Sequence, residues 1–202
     1  MIAIVDYGMG NLKSVANAFA RLGAMARVTR DAGEIRDASA IVLPGVGAFG
    51  RCVENLKTFG LFDLIREEVV SGKRYLGICL GLQILFESSE ESPGAAGMGV
   101  IKGTVTRFRE GLKVPHMGWN DIHVTGRSKV LSGIAEGTHF YFVHSFYPVP
   151  EEDVTAATTD YGLTFVSAVE KGNLFACQFH PEKSQAVGLR LLSNFVALCG
   201  RS

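Results

Sequence analysis

The chain has 202 residues, with 20 basic and 20 acidic side chains and therefore no net formal charge. That balance gives no electrostatic reason to expect nucleic acid or an anionic membrane surface as a partner. Hydrophobic residues make up 47 % of the chain, enough at this length to bury about 70 % of the unfolded surface without help from disulfides. No apolar run approaches the roughly 20 residues of a membrane span. The opening stretch from Met1 to Asp6 reads as a strand, not as a basic-then-apolar leader. Cys52, Cys79, Cys177 and Cys199 show no framework spacing, so a reducing cytoplasm is expected. Cys177 and His180 have no second close pair of ligands, so neither a metal nor a cofactor is expected.

In chain order, Ile2 to Val5 is a first strand, followed by a turn-rich loop from Asp6 to Asn11. Leu12, Val15, Phe19 and Leu22 then share one face of a helix that Gly23 closes. Ala26 to Thr29 is a short strand. Ala40 to Leu43 is a fully apolar one, expected to break at Pro44. A helix runs from Leu61 to Val70. Arg74 to Ile78 is again a strand, and Leu82 to Phe86 reads as a buried helix. Strands alternating with helices point to a parallel sheet covered on both faces.

The character changes near Ser88. A polar turn region runs to Gly97, and strands then dominate: 100–108, 121–124, 139–143, 154–158, 163–169 and 174–178. Lys171-Gly172-Asn173 looks like a hairpin turn. Ser184 to Leu198 closes the chain as a helix. There is no repeat, low-complexity tract or linker, so residues 1–202 are expected to form a single α/β domain with a mixed, mostly parallel central sheet and a strand-rich second half.

Chemistry concentrates at Gly77-Ile78-Cys79-Leu80-Gly81. This is a G-x-S-x-G nucleophile elbow with cysteine in place of serine. A strand turning sharply into a helix holds the nucleophile in a strained conformation, and glycine neighbours avoid clashes there. The helix start favours thiolate, and the Leu80 amide points where an oxyanion would form. A lone cysteine is usually a small buried hydrophobe, so a base must come from elsewhere. Phe179-His180-Pro181-Glu182 supplies a candidate. Residues two apart in extended chain share a face, and an imidazole held by a carboxylate is the base that a thiol nucleophile requires.

The loop from Pro44 to Gly50 has two readings. Gly45, Gly47 and Gly50 match G-x-G-x-x-G, the dinucleotide fingerprint. However, no acidic residue ends a following strand, and the strand before the loop is not the first of the sheet. The favoured reading is a loop whose backbone N–H groups, at Val46 and Gly47, complete an oxyanion hole beside Cys79.

With these residues in view, the chain resembles the class I (triad) glutamine amidotransferases, a flavodoxin-like α/β family. Within them it is similar to the glutaminase subunits of imidazole glycerol phosphate synthase. The resemblance covers essentially the whole chain. It is carried by Asp6 to Leu12, Pro44 to Phe49, Gly77 to Gln83, Pro115-His116-Met117-Gly118-Trp119-Asn120, Tyr141 to Ser145 and Phe179 to Ser184. It implies hydrolysis of glutamine to glutamate and ammonia through a cysteine thioester. It also implies a partner, a separate synthase (cyclase) subunit that receives the ammonia through a tunnel in histidine biosynthesis. By similarity Cys79 is the nucleophile, His180 the acid/base and Glu182 its orienter. Gly47, Gln83, Glu91, Ser145 and Phe146 form the glutamine pocket, with Glu91 facing the substrate amine. Asn11, Trp119, Tyr141 and Lys183 belong to the docking face. Two alternatives are a free-standing cysteine hydrolase or the glutaminase of another amidotransferase, and a third is a binding module without catalysis. The intact Cys79, His180 and Glu182 argue against the last.

Overall fold

The computed structural model describes residues 1–126 and 128–200. Its backbone is a nine-stranded sheet built from β1 (Ile2–Val5), β2 (Ala26–Thr29), β3 (Ala40–Gly45), β4 (Arg74–Cys79), β7 (His116–Val124), β8 (Thr138–His144), β10 (Thr155–Asp160), β11 (Thr164–Lys171) and β12 (Leu174–Cys177). The strand order is β2-β1-β3-β4-β12-β11-β10-β7-β8. Pairings from β2 across to β12 are parallel. Those from β12 across to β8 are antiparallel. The sheet is therefore parallel in one half and antiparallel in the other. A small second sheet joins β5 (Ser88–Ser89), β6 (Gly103–Arg107) and β9 (Phe146–Pro150).

The parallel half needs covering on both faces, and the sequence provides it. β1 is apolar at every position and wholly buried. Its side chains alternate between two cores: Ala3 and Val5 enter one, Ile2 and Ile4 the other. Helices α2 (Ala32–Asp37), α3 (Phe49–Thr58) and α4 (Phe62–Val70) close the first core through Ile35, Leu56 and Ile65. Helices α1 (Leu12–Arg21) and α6 (Gln185–Cys199) close the second through Val15, Phe19, Leu191 and Phe195. α1 begins where the Asn11 side chain accepts the Ser14 N–H, and it stops at Gly23, whose φ is +67°.

The structure corrects several expectations. Pro44 does not end its strand: β3 continues through it, with Pro44 opposite Ile78 and Gly45 opposite Cys79. The pairing of β3 with β1 stops at Val42. Pro44 therefore lies on a locally open edge, where a missing N–H costs no ladder bond. The helix after the elbow, α5 (Leu80–Gln83), is one turn long and gives way to successive turns at Ile84 to Phe86. Its aligned peptide dipoles are correspondingly few, which weakens the expected help to the thiolate. The stretch from His116 to Asn120, which lies outside the strands expected from the sequence, is the first half of β7. Helices α2 and α3 and strand β9 are additions that the sequence pattern does not predict.

Candidate active site

The elbow forms as its glycines require. Cys79 has φ +56° and ψ −104°, a region that non-glycine residues occupy only when their surroundings hold them there. A Cβ on Gly81 would lie 1.9 Å from the Leu43 carbonyl oxygen, and one on Gly77 would lie 2.4 Å from the Gly81 carbonyl oxygen. Both are far inside contact distance, so β3, β4 and α5 can close on one another only at glycine. Tyr75 fixes the turn from below, its hydroxyl donating to the Gly81 carbonyl at 2.7 Å.

Cys79 sits at the wall of a cavity of about 290 Å³, the lower end of the range for small-molecule sites. Val46, Gly47, Leu80, Gln83, Glu91, Ser145 and Phe146 all line it, so the expected pocket residues come together. Pro115, Val143 and His144 line it too and were not anticipated. Leu80 opens α5, where amide N–H groups have no partner within the helix. Gly47 has φ +102°, and a Cβ there would press on the Met9 side chain.

Glu91 does more than face the cavity. One of its oxygens accepts the Phe49 N–H at 2.7 Å, and Ser92 accepts the Gly50 N–H at 3.0 Å. α3 has no side-chain cap of its own, so the acidic loop caps it from a distance. This contact fixes the Glu91 carboxylate at the rim of the pocket.

The base comes from the other side of Cys79. β12 lies parallel to β4, with Cys177 opposite Ile78. The chain leaving β12 therefore passes the nucleophile. The His180 N–H donates to the Tyr141 carbonyl at 2.8 Å. Ser184 then ties the turn down: its hydroxyl donates to the His180 carbonyl and accepts the Tyr141 N–H. His180 Nδ1 donates to Glu182 Oε1 at 2.7 Å, with both side chains 2 % exposed. That bond fixes the tautomer and leaves Nε2 with the lone pair. Nε2 is buried and has no hydrogen-bond partner among the described residues. Burial alone would lower the imidazole pKa, but the Cys79 sulfur and the Glu182 carboxylate outweigh it and raise it. The group is thus built to become a stable cation beside the sulfur.

The residues expected at a docking face divide. Trp119 and Tyr141 face each other across β7 and β8, their rings 6.2 Å apart and edge-on. The Lys183 ammonium lies 5.7 Å above the Tyr141 ring. Trp119 is 47 % exposed and its neighbour Met117 62 %. These residues form one patch, continuous with the His180 turn. The structure gives Asn11 a local task as the cap of α1.

Two polar groups emerge that the sequence reading passes over. Gln178 is fully buried and its amide N–H lies 3.6 Å from the Cys79 sulfur. His116 and His144 form a buried pair, with Nδ1 of the first 2.9 Å from Nε2 of the second. The clue to Gln178 is in the sequence: a polar residue ending an apolar strand must find a buried partner.

The elbow, the His–Glu pair and the cavity between them have the arrangement that acyl transfer by a cysteine nucleophile requires. The family model of class-I glutamine amidotransferases matches residues 3–199, and the chain belongs to that family. Solved structures agree at the level of the fold. A crystal structure of a glutamine amidotransferase superposes with a TM-score of 0.76 at 23 % identity, covering 99 % of this chain and 100 % of the other. A second, from Thermotoga maritima, gives 0.72 at 16 % identity, covering 100 % and 98 %. Curated relatives narrow the family to the HisH subunits of imidazole glycerol phosphate synthase. The subunit from Methanothermobacter thermautotrophicus is 52 % identical over 98 % of each chain. That from Moorella thermoacetica is 53 % identical over 96 % of this chain and 93 % of its own. That from Thermococcus kodakarensis is 51 % identical over 96 % and 98 %.

Proposed function

We propose that this chain, acting as one domain, is the glutaminase subunit of imidazole glycerol phosphate synthase, with Cys79, His180 and Glu182 as its catalytic residues. The observation that carries the reading is the strained Cys79 at the cavity wall, flanked by an imidazole whose Nδ1 is committed to Glu182. Glutamine enters with its side-chain amide toward the sulfur and its amine toward Glu91. The Cys79 thiolate attacks the amide carbon, and negative charge develops on the amide oxygen. The Leu80 amide and the Val46–Gly47 backbone line the cavity beside Cys79, and they are the donors we assign to that charge. His180, protonated at Nε2 and held by Glu182, gives its proton to the departing nitrogen, and ammonia leaves as the C–N bond breaks. Water then attacks the thioester with His180 as base. Glutamate departs and the thiolate is restored.

Ammonia is nucleophilic only while unprotonated, and release into water would protonate most of it at neutral pH. A docked synthase subunit that encloses its path removes that loss. The Trp119–Tyr141–Lys183 patch, beside the His180 turn, is the surface we assign to it, and Asn11 is proposed to contribute as well. No helix among the described residues is long and apolar enough to cross a membrane, and we assign the complex to the cytoplasm. The test is glutamate release by the purified chain with and without the synthase subunit and its ligand. Release that depends on Cys79 and rises with the partner is expected. Turnover unaffected by Cys79→Ser would overturn the assignment.

A further inference from the structure

The orientation of two buried side-chain amides can be deduced without seeing a hydrogen atom. The Phe146 carbonyl oxygen can only accept, so the group 3.0 Å away on Gln83 must be its amide nitrogen. The same nitrogen lies 3.0 Å from Gln178, which must therefore present its oxygen. The remaining end of Gln178, its Nε2, is then the group 3.6 Å from the Cys79 sulfur. A backbone carbonyl thus dictates, through two side chains, that an N–H donor points at the nucleophile. Besides the His180 imidazole, which interacts with the sulfur, the Val143 carbonyl lies 3.9 Å from it. That oxygen can only accept and so favours the neutral thiol. Gln178 can donate to a thiolate, and a hydrogen bond to a charged acceptor is roughly twice as strong as a neutral one.

We propose that Gln178 is a positioning residue of the glutaminase site: its amide donor, aimed by Gln83 and the Phe146 carbonyl, stabilises and aligns the Cys79 thiolate. The inference rests on the reading of Cys79 as nucleophile. It also explains why Gln178 is fully buried. β12 pairs with β4 through Cys177 opposite Ile78, so the next residue stands level with Cys79 and beneath the pocket floor. The chain of bonds has a second effect. Both N–H groups of Gln83 are used, one on Phe146 and one on Gln178. Gln83 therefore offers the cavity its carbonyl oxygen alone, which can receive an amide or amine N–H but repels a carboxylate. Gln178 thus holds the sulfur ready and keeps Gln83 facing an amide substrate.

The test uses the full chain and two readouts. The first is the rate of Cys79 carbamidomethylation by iodoacetamide across pH 5 to 10, followed by mass spectrometry of the Cys79 peptide. The second is glutaminase kcat and KM with the synthase subunit present. Gln178→Glu keeps an oxygen for Gln83 but takes the donor from the sulfur and adds a charge. The alkylation inflection is expected to move up by about one pH unit or more, with kcat at least tenfold lower and KM within about threefold. Gln178→Met removes both contacts and should raise KM as well. If either variant fails to fold, Gln178→Asn is used, which retains the amide but withdraws it by one methylene. Its inflection should move in the same direction. An unmoved inflection in a folded variant overturns the proposal, whatever happens to kcat. Alkylation reports on the sulfur itself, so that result leaves the glutaminase reading standing. Absence of glutamate release by the unaltered complex would instead remove the reading on which the proposal rests.

Discussion

At the scale of residues, the proposed site separates a nucleophile, a proton carrier and an orienter. Cys79→Ser is expected to lose glutaminase activity by a factor of 10³ or more with an unchanged melting temperature, because a serine hydroxyl gives up its proton far less readily than a thiol. Glutamate assays and calorimetry check this together. Glu182→Gln should be milder than His180→Ala by about tenfold, since the carboxylate aims and stabilises the imidazole without taking its proton. Equal losses in a steady-state assay would show that the two roles are assigned wrongly. The triad is legible in the sequence because its parts are local: two glycines around a cysteine, and a histidine two residues before a glutamate. Gln178 is not, because its significance comes from lying level with a residue 99 positions earlier. Only the register of β12 on β4 brings the two together. Likewise the aromatic and imidazole groups around Phe108 and His116 come from three strands, β7, β8 and β11, and from the loops at Phe108 and Tyr161, and no sequence window contains them.

At the scale of elements, glycine decides how closely backbone can approach backbone. Gly81→Ala would place a methyl group 1.9 Å from the Leu43 carbonyl, and Gly188→Ala would do the same at the Pro181 carbonyl. Neither backbone can retreat without moving a strand or the His180 turn. Each variant should lose about 3 kcal/mol or more of stability, beyond the usual cost of an overpacked side chain, as read from urea unfolding. Gly200→Ala, with no atom of the described residues within 4 Å, is the comparison and should fall within about 0.5 kcal/mol of the parent. Strongly periodic elements such as α1, α4 and α6 can be read from the chain alone. α3 carries an equally good signal, with Phe49, Cys52, Val53 and Leu56 all buried. It escapes because the glycines before it suggest a loop and its cap comes from Glu91 and Ser92, more than 40 residues away. α2 has six residues and one buried side chain, too short for any period to show. β7 disguises itself behind a Gly118 with φ +134° and an outward tryptophan.

At the scale of the whole molecule, two surfaces meet in the antiparallel half: the proposed docking patch and the back of the proposed glutamine pocket. The isolated chain is expected to hydrolyse glutamine slowly. Adding the synthase subunit and its ligand should raise the rate at least tenfold, or roughly 1.4 kcal/mol of barrier. Trp119→Ala and Lys183→Ala should reduce that stimulation more than they reduce the basal rate, measured by titrating the partner. Full activity without the partner, unaltered by either change, would show that the patch has another purpose. Between patch and pocket lies the histidine pair. His144 Nδ1 donates to the Phe146 carbonyl, His116 Nδ1 donates to His144, and the Asn120 amide donates to His116. Each ring is satisfied only while neutral. Burial pushes His144 down to about 3 and His116 down to about 4. The unfolded chain takes up both protons near pH 6.5, whereas the folded chain does not. Their contribution to stability is therefore complete above pH 6.5 and is lost progressively as the pH falls toward 3, at roughly 1.4 kcal/mol per pH unit for each ring. Urea midpoints should decline between pH 6.5 and 5, above the range in which most carboxylates titrate. A flat profile there would mean that the pair opens to water.

The strand order carries a consequence for synthesis. The last strand in the chain, β12, occupies the middle of the sheet, between β4 and β11. Until Leu174 to Cys177 have left the ribosome, the growing protein holds two open edges that face each other with nothing between them. Such edges are templates for the wrong neighbour, and a centre filled last makes folding slow and non-local. The same order protects the cell. His180 follows directly on the closing strand, so, until its sheet is shut, a nascent or prematurely terminated chain lacks the couple with Cys79 that is proposed to spend glutamine.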